Sequence, residues 1–179
     1  MTKRILAALL TVAMLLSFGV TAMSAEAPKD AEVGELLKNG GAEEYAGSTV
    51  PGFSLTGGAD KWAVSTDIKH SGEASLKVMD DGTHYIYALA AVRVYENTEY
   101  EVKAFAYPED LGVGHLAIKV ECYKFDEFGK AAGIPGLINA NYGSLKTKKW
   151  NEIGYKFTTP AECELIYILF RMNQGKADH

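Results

Sequence analysis

The sequence has 179 residues, with 18 basic and 23 acidic side chains and a formal net charge of −5 at pH 7. An acidic chain without a basic patch argues against a nucleic-acid partner, and two cysteines are too few for a scaffold built from disulfide bonds. The sequence contains no HExxH, GxSxG, Walker or CxxC motif, which predicts a chain that is not catalytic by itself.

The first 25 residues have the order of a secretory signal peptide. Lys3 and Arg4 precede a continuous apolar stretch, Ile5 to Val20, and small residues follow up to Ala25. A membrane anchor is the alternative, because this stretch approaches the length that spans a bilayer. The small residues and the polar sequence "EAPKD" favour cleavage, so we expect a secreted or cell-surface protein with no stable membrane span after cleavage.

After a short linker at residues 26–34, an alternation of period two recurs along residues 35–179, where helical periodicity does not persist. It predicts seven strands: Lys61–Ser65, Ala74–Met79, His84–Val94, Tyr100–Tyr107, His115–Phe125, Trp150–Thr158 and Glu164–Met172. Turn sequences such as "HSGE", "DDGT" and "DEFGK" separate them. Strands without intervening helices are typical of an all-β antiparallel sandwich or jelly roll.

The alternation also predicts which side chains face the core. In "HYIYALAAVRVYENTEY", which starts at His84, small aliphatic residues fall on one parity. The predicted core set is Ile86, Ala88, Ala90, Val92, Val94, Tyr100, Val102, Ala104, Ala106, Leu116, Ile118, Val120, Cys122, Ile153, Tyr155 and Phe157. Around Leu165 to Met172 both parities are apolar, so the pattern does not choose between them.

The opposite parity mixes charged residues with aromatic rings, namely Tyr85, Tyr87, Phe105, Tyr107, Tyr123, Phe125 and Trp150. Rings beside hydrogen-bonding groups suit a ligand that is apolar on its faces and polar at its edges, such as a pyranose. The candidate stacking residues are Tyr85, Tyr87, Tyr123 and Trp150, and the candidate hydroxyl contacts are Arg93, Glu121 and Asn141. The structural alternative is that the rings are simply good strand formers that pair across the sheet.

Two features remain open at this stage. Residues 130–149 form a long connection with several Gly and Asn residues, and we predict a loop whose Asn139, Asn141 and Tyr142 suit a binding rim. Cys122 and Cys163 each lie on a predicted strand. In an oxidising compartment a disulfide between them would stabilise the fold by roughly 3–4 kcal/mol, and two separate buried thiols are the alternative.

Five motifs in register resemble the jelly-roll carbohydrate-binding modules of the cellulose-, xylan- and glucan-binding group, families four, nine, sixteen and twenty-two, which are galactose-binding-domain-like. They are "LLKNGGAEE", "HSGEASLKV", "VYENTEYEVKAFAY", "YKFDEFGK" and "W…YKFTTPAECELIYILFRMNQGKA". The resemblance implies non-catalytic binding of a plant or microbial polysaccharide or oligosaccharide.

The sequence departs from the family at two points. The family usually continues into a last strand with "F-D-D-V", whereas the sequence here ends with "QGKADH". The family also often has a Gln near the position where this sequence has Ala90. Such modules often precede a glycoside hydrolase domain. The alternatives are therefore the N-terminal part of a truncated secreted glycoside hydrolase, with a catalytic domain C-terminal to this chain, and a cell-surface protein-interaction module.

The resemblance also implies a structural calcium ion at one end of the sandwich. Glu43 would supply a carboxylate, and backbone carbonyls near His70–Glu73 would supply further oxygen ligands, which suit this hard cation. Asp178 is a candidate substitute for the aspartate of the absent strand. The alternative is that Glu43 is only a turn residue.

Overall fold

The computed structural model describes residues 9–12, 36–79, 86–110, 115–142 and 144–173. In these ranges the chain forms ten strands and one 3₁₀ turn at Ala59–Lys61. The strands are β1 (Leu9–Val12), β2 (Phe53–Leu55), β3 (Trp62–Ser65), β4 (Ser75–Val78), β5 (Ile86–Arg93), β6 (Glu99–Ala106), β7 (His115–Phe125), β8 (Ala131–Tyr142), β9 (Asn151–Thr158) and β10 (Leu165–Asn173). All seven predicted strands are confirmed, with bounds that differ by at most two residues.

The strands form a sandwich of two main sheets. One sheet has five strands in the order β2-β5-β10-β7-β8, and the other has three in the order β1-β6-β9. All strand pairs within the sheets are antiparallel except β1 with β6. Two hydrogen bonds join these sheets. The Tyr155 hydroxyl of β9 donates to the Ile118 carbonyl of β7 over 3.4 Å, and the Tyr142 hydroxyl of β8 donates to the Gly154 carbonyl of β9 over 3.0 Å. The predicted antiparallel β-sandwich is confirmed.

The core lies between these sheets and consists largely of the predicted parity. The predicted core residues of β5 and β7 are each at most 8% exposed. Tyr155 and Ala106 are partly buried and pack against the same cluster. The strand register settles the parity of β10, because Ile166, Ile168 and Phe170 pair with core residues of β5. All three side chains are at most 3% exposed.

The prediction of a long loop at residues 130–149 is wrong for its first part. Residues 131–142 form β8, which pairs with β7 at the edge of the five-stranded sheet. The register shifts opposite Val120 and Cys122, and Pro135 and Gly136 lie at this irregularity. A bulge interrupts the period of two, and proline is tolerated on an edge strand, so the alternation that identifies a strand is absent here.

Strand β1 lies inside the predicted signal peptide. In the full chain Leu9–Val12 pairs in parallel with Glu101–Ala104 of β6. The predicted cleavage after residue 25 would remove this strand, and the cleavage stays a prediction.

No helix in the described ranges is both long enough and apolar enough to cross a membrane.

The two cysteines are free, buried thiols that lie side by side in the core. The pKa of Cys122 is raised to about 12 by burial and by the neighbouring Cys163, with which Cys122 shares a hydrogen bond. Burial also raises the pKa of Cys163. The sequence left open a disulfide or two separate buried thiols; the structure has two free buried thiols, which are neighbours and not separate. Their raised pKa values favour the unreactive protonated form.

Candidate functional site

The candidate site is the face of the five-stranded sheet that points away from the core, here called the outer face. Because residues paired across antiparallel strands lie on the same side of a sheet, the register of β5, β10 and β7 arranges this face in four rows. The rows are Arg93–Leu165–Tyr123, Ala91–Tyr167–Glu121, Leu89–Leu169–Lys119 and Tyr87–Arg171–Ala117. Successive rows are about 6.6 Å apart, so the face extends for about 20 Å along β10.

The middle of the outer face is apolar. Leu165 and Leu169 are 9% and 7% exposed although they lie on the side opposite the core. Strand β10 is the central strand, so each leucine has a neighbour on both sides: Arg93 and Tyr123 flank Leu165, and Leu89 and Lys119 flank Leu169. Tyr87, Tyr123 and Tyr167 are half-buried around this centre. The face therefore offers partly exposed tyrosine rings around a buried leucine centre.

Tyr123 is held by two contacts. Its ring lies 4.5 Å from that of Tyr167 at an interplanar angle of 46°. Its hydroxyl donates to Glu121 Oε2 over 2.8 Å. Burial, followed by the hydrogen bond and the charge of Glu121, raises the pKa of the Tyr123 phenol to about 12. The ring is therefore fixed in orientation and its hydroxyl keeps its proton.

Glu121 has partners for both of its carboxylate oxygens. Lys119 Nζ lies 2.5 Å from Oε1, and Tyr123 donates to Oε2. Partial burial opposes ionisation, but the hydrogen bonds from these two residues and the charge of Lys119 outweigh it and lower the pKa of the Glu121 carboxyl. The ionised carboxylate can still accept hydrogen bonds at its remaining lone pairs.

Arg93 lies at one end of the face, where its guanidinium carbon is 4.0 Å from the centre of the Phe125 ring. An arginine stacked on a ring keeps its N–H donors in the plane of the guanidinium, where hydroxyl or carboxylate oxygens can accept from them. Arg171, which pairs with Tyr87, lies at the opposite end of the face. Burial lowers the pKa of Arg171.

The aromatic residues predicted on one face are divided between two. Phe105, Tyr107 and Trp150 lie on or beside the three-stranded sheet, together with His70. The His70 ring stacks on that of Phe105 at 3.7 Å, and Trp150 contacts both His70 and Tyr107, at 5.3 Å and 5.4 Å. We call these four residues the His70 cluster. The structure therefore does not bring Trp150 to the outer face, since β6 and β9 belong to the opposite sheet.

Two further candidates cannot be placed as contacts. Tyr85 lies outside the described residues. Of Asn141 the structure describes the backbone, which pairs with Ala117 on β7.

Sequence reasoning missed Lys119, Tyr167 and Arg171 as members of the site. For β10 the sequence contained a weak indication of the outer side. Tyr167 and Arg171 share one parity, whereas the other parity, from Ile166 to Phe170, is entirely apolar. That difference indicates which side faces the core, although Leu165 and Leu169 obscure it.

Three glutamates of the outward parity are divided between the two sheets. Glu121 lies on the outer face of the five-stranded sheet, whereas Glu101 and Glu152 lie on the three-stranded sheet. There Glu152 pairs with Lys103 over 2.6 Å.

Glu43 lies against the turn at residues 70–73, as the resemblance implies. Its Oε2 accepts a hydrogen bond from the Glu73 amide over 2.8 Å. Gly72 has a φ of 65°, and a Cβ there would overlap the Glu43 carboxylate. Among the described residues, no group of three or more His, Cys, Asp or Glu side chains could hold a metal ion. Asp178 lies outside the described residues, so Glu43 is the only carboxylate of the predicted calcium site that the structure places.

No protein-family model matches this chain, and no curated protein does. Solved structures match at low identity. TmCBM61, solved in complex with beta-1,4-galactotriose, gives a TM-score of 0.51 at 16% identity, over 76% of this chain and 86% of that chain. The C-terminal family 22 carbohydrate binding module of Clostridium thermocellum Xyn10B gives a TM-score of 0.48 at 15% identity, over 75% of this chain and 87% of that chain.

The enzymatically active domain of tailspike protein 4 from bacteriophage CBA120 gives a TM-score of 0.49 at 15% identity, over 69% of this chain. This chain spans 17% of the length of that domain. At such identities the likeness concerns the fold alone. The jelly-roll fold of carbohydrate-binding modules, which the sequence motifs implied, is confirmed.

Proposed function

We propose that the outer face binds a polysaccharide or oligosaccharide without catalysing its cleavage. The observation that carries this proposal is the arrangement of its rows, in which half-buried tyrosine rings and a buried leucine centre lie beside Arg93, Lys119 and Glu121. A pyranose needs both kinds of surface, since its C–H bonds pack on rings and its hydroxyls need donors and acceptors. The fold shared with TmCBM61, a protein solved with a bound galactotriose, supports the same proposal.

The dimensions of the face suit a chain rather than a single sugar. The rows extend for about 20 Å along β10, which is long enough for several sugar units lying parallel to the strand. Tyr87 and Tyr123 lie near opposite ends of this length, so a bound chain would contact rings at both ends.

The biological role would be recognition of a plant or microbial polysaccharide by a secreted or cell-surface protein. If a catalytic domain is attached, binding would keep it near its substrate by raising its effective concentration. A glycoside hydrolase of which this chain is the N-terminal part, and a module that uses the face to bind protein, are the alternatives.

Affinity electrophoresis against xylan, β-glucan, cellulose and galactan tests the proposal. Tyr87→Ala and Tyr123→Ala each remove one ring from the outer face, and we expect each to weaken retardation by about two- to tenfold. Trp150→Ala is the matched control, because it removes a ring from the His70 cluster on the opposite sheet, and we expect retardation to remain.

Two outcomes would contradict the proposal in different ways. If no glycan retards the protein, carbohydrate binding is wrong. If Trp150→Ala abolishes retardation while both tyrosine variants keep it, the site lies on the opposite sheet.

We also propose that Glu43 binds a structural calcium ion. Because calcium takes about six to eight oxygen ligands, carbonyls of the turn at residues 70–73 and a further carboxylate such as Asp178 would have to complete the site. We expect added calcium to raise the melting temperature of the protein, and Glu43→Gln to abolish that rise. Glu44→Gln, which removes the neighbouring exposed carboxylate, is the control. Equal melting temperatures with calcium and with a chelator would contradict the site.

A further inference from the structure

We infer that the outer face selects acidic glycans, chains whose sugar units carry carboxylates, over neutral glycans; this inference rests on the proposed function. Among the described side chains of the face, Arg93, Lys119 and Arg171 are cationic and Glu121 is the one carboxylate. The whole chain has a net charge of −5, so the face is opposite in sign to the rest of the molecule. Charge complementarity of this kind favours an anionic ligand and disfavours wrong partners.

Glu121 does not cancel this preference, because its charge is already compensated. Both of its oxygens are engaged within the face, one by Lys119 and the other by the Tyr123 hydroxyl. The carboxylate and the ammonium group therefore form a nearly neutral pair. The charge left to act on a ligand is that of Arg93, at one end of the face.

Arg93 is arranged to bind a carboxylate. Its guanidinium is held over the Phe125 ring, and none of the ion pairs within the described residues involves it. Stacking on a ring fixes the plane of the guanidinium and leaves its in-plane N–H donors available for two parallel hydrogen bonds to a carboxylate. A neutral hydroxyl cannot match this charged, bidentate geometry.

The spacing of the first row fits one acidic sugar unit. Arg93 and Tyr123 flank Leu165 on its two neighbouring strands, which places their backbones about 10 Å apart. A pyranose packed on the partly exposed Tyr123 ring would carry its carboxylate toward Arg93. A chain that continues along β10 extends about 20 Å beyond this row, so Arg93 would fix one end of it.

The test uses two forms of one polymer, polygalacturonate and its methyl-esterified form, which share the same sugar but differ in carboxylate charge. Xylan and galactan serve as neutral glycans. Calorimetry and affinity electrophoresis measure binding of the wild-type protein to each. We expect polygalacturonate to bind at least about tenfold more tightly than the ester, and its affinity to fall as salt is raised from about 50 to 300 mM.

Arg93→Gln removes the proposed carboxylate contact, and Arg93→Lys keeps the charge but loses the planar group. We expect the Gln variant to lose about tenfold in affinity for polygalacturonate and only about two- to threefold for neutral glycans, because a neutral ligand loses hydrogen bonds to hydroxyls but no ion pair. The Lys variant should lie between the Gln variant and the wild type for polygalacturonate. Lys156→Gln is the matched control, because it removes one positive charge from exposed β9 of the opposite sheet. Circular dichroism verifies that each variant is folded.

The outcomes separate the two proposals. Equal or tighter binding of neutral glycans, independent of salt and of Arg93, would overturn the selection of acidic glycans and leave carbohydrate binding intact. The same loss in Lys156→Gln as in Arg93→Gln would also overturn it, since the effect would be one of overall charge. Absence of binding to every polymer would overturn the proposed function and this inference together.

Discussion

At the scale of single residues, the centre of the candidate site is the contact between Glu121, Lys119 and Tyr123. Residues 119, 121 and 123 of β7 share one parity, so the strand itself brings the three side chains together on one side. The contact fixes the Tyr123 ring beside Tyr167 and keeps the Glu121 carboxylate ionised. Side chains held in this way lose little further freedom when a ligand binds.

Replacing Glu121 by Gln tests this contact. We expect the free energy of unfolding to fall by about 1–2 kcal/mol, because hydrogen bonds to a charged group are lost. The Tyr123 phenol should then titrate at lower pH than about 12, since the carboxylate that favours its protonated form is gone. Urea denaturation and an ultraviolet titration of tyrosine measure the two effects.

The pH dependence of the same variant has a definite sign. Because the folded state lowers the pKa of Glu121, its contribution to stability is present above its unfolded pKa and is lost as the pH falls through its folded pKa. Stability of Glu121→Gln should therefore fall less on acidification than that of the wild type. Glu127→Gln, at an exposed turn position, serves as the control. Identical acid profiles of wild type and Glu121→Gln would contradict the contact.

At the scale of elements, β8 and β10 show how far a strand can be identified from its own sequence. Strand β10 is apolar on both parities and occupies the centre of the five-stranded sheet, with β5 and β7 on its two sides. Among the described strands, β8 pairs with β7 alone, and it contains the irregularity near Pro135. A central strand with leucines on its outer side and an edge strand with a bulge both depart from simple alternation, in opposite directions.

Hydrogen exchange distinguishes the observed strand β8 from the predicted loop. We expect amides of residues 131–142 to be protected, because about half of them can donate to β7 in an antiparallel ladder. Protection should be weaker than in β10, which is paired on both sides and opens only with the whole sheet. Exchange of the entire segment at the rate of an unstructured peptide would contradict the strand.

At the scale of the whole molecule, stability depends on the layer between the two sheets. Phe170 of β10 is 2% exposed and lies in the core cluster, whereas Phe128 at the turn between β7 and β8 is 86% exposed. The same side chain therefore occurs at the two extremes of burial. This contrast allows the contribution of the core to be measured with one kind of substitution.

We expect Phe170→Ala to lower the free energy of unfolding by about 3–5 kcal/mol, since it removes a buried ring and leaves a cavity. Phe128→Ala should change it by no more than about 0.5 kcal/mol. Chemical denaturation of both variants measures the difference. Similar losses in the two variants would contradict the assignment of Phe170 to the core.

The sequence alone was enough to predict the class of fold, seven of the strands and the core parity of β5, β6, β7 and β9. These features follow from local alternation, turn residues and the resemblance of five motifs. For the site it identified Tyr87, Arg93, Glu121 and Tyr123, which the structure brings to one face. Each of these assignments needs only the geometry of a single strand, in which alternate side chains lie on the same side.

The structure was needed to show which strands lie side by side. It separated the His70 cluster from the tyrosines of the outer face, added Tyr167 and Arg171 from β10 and placed β8 at the edge. Parity within a strand says which residues share a side, but the sheet to which that side belongs depends on pairing between segments far apart in the chain. That pairing is fixed by how all the strands together bury their apolar faces, which no single stretch of sequence contains.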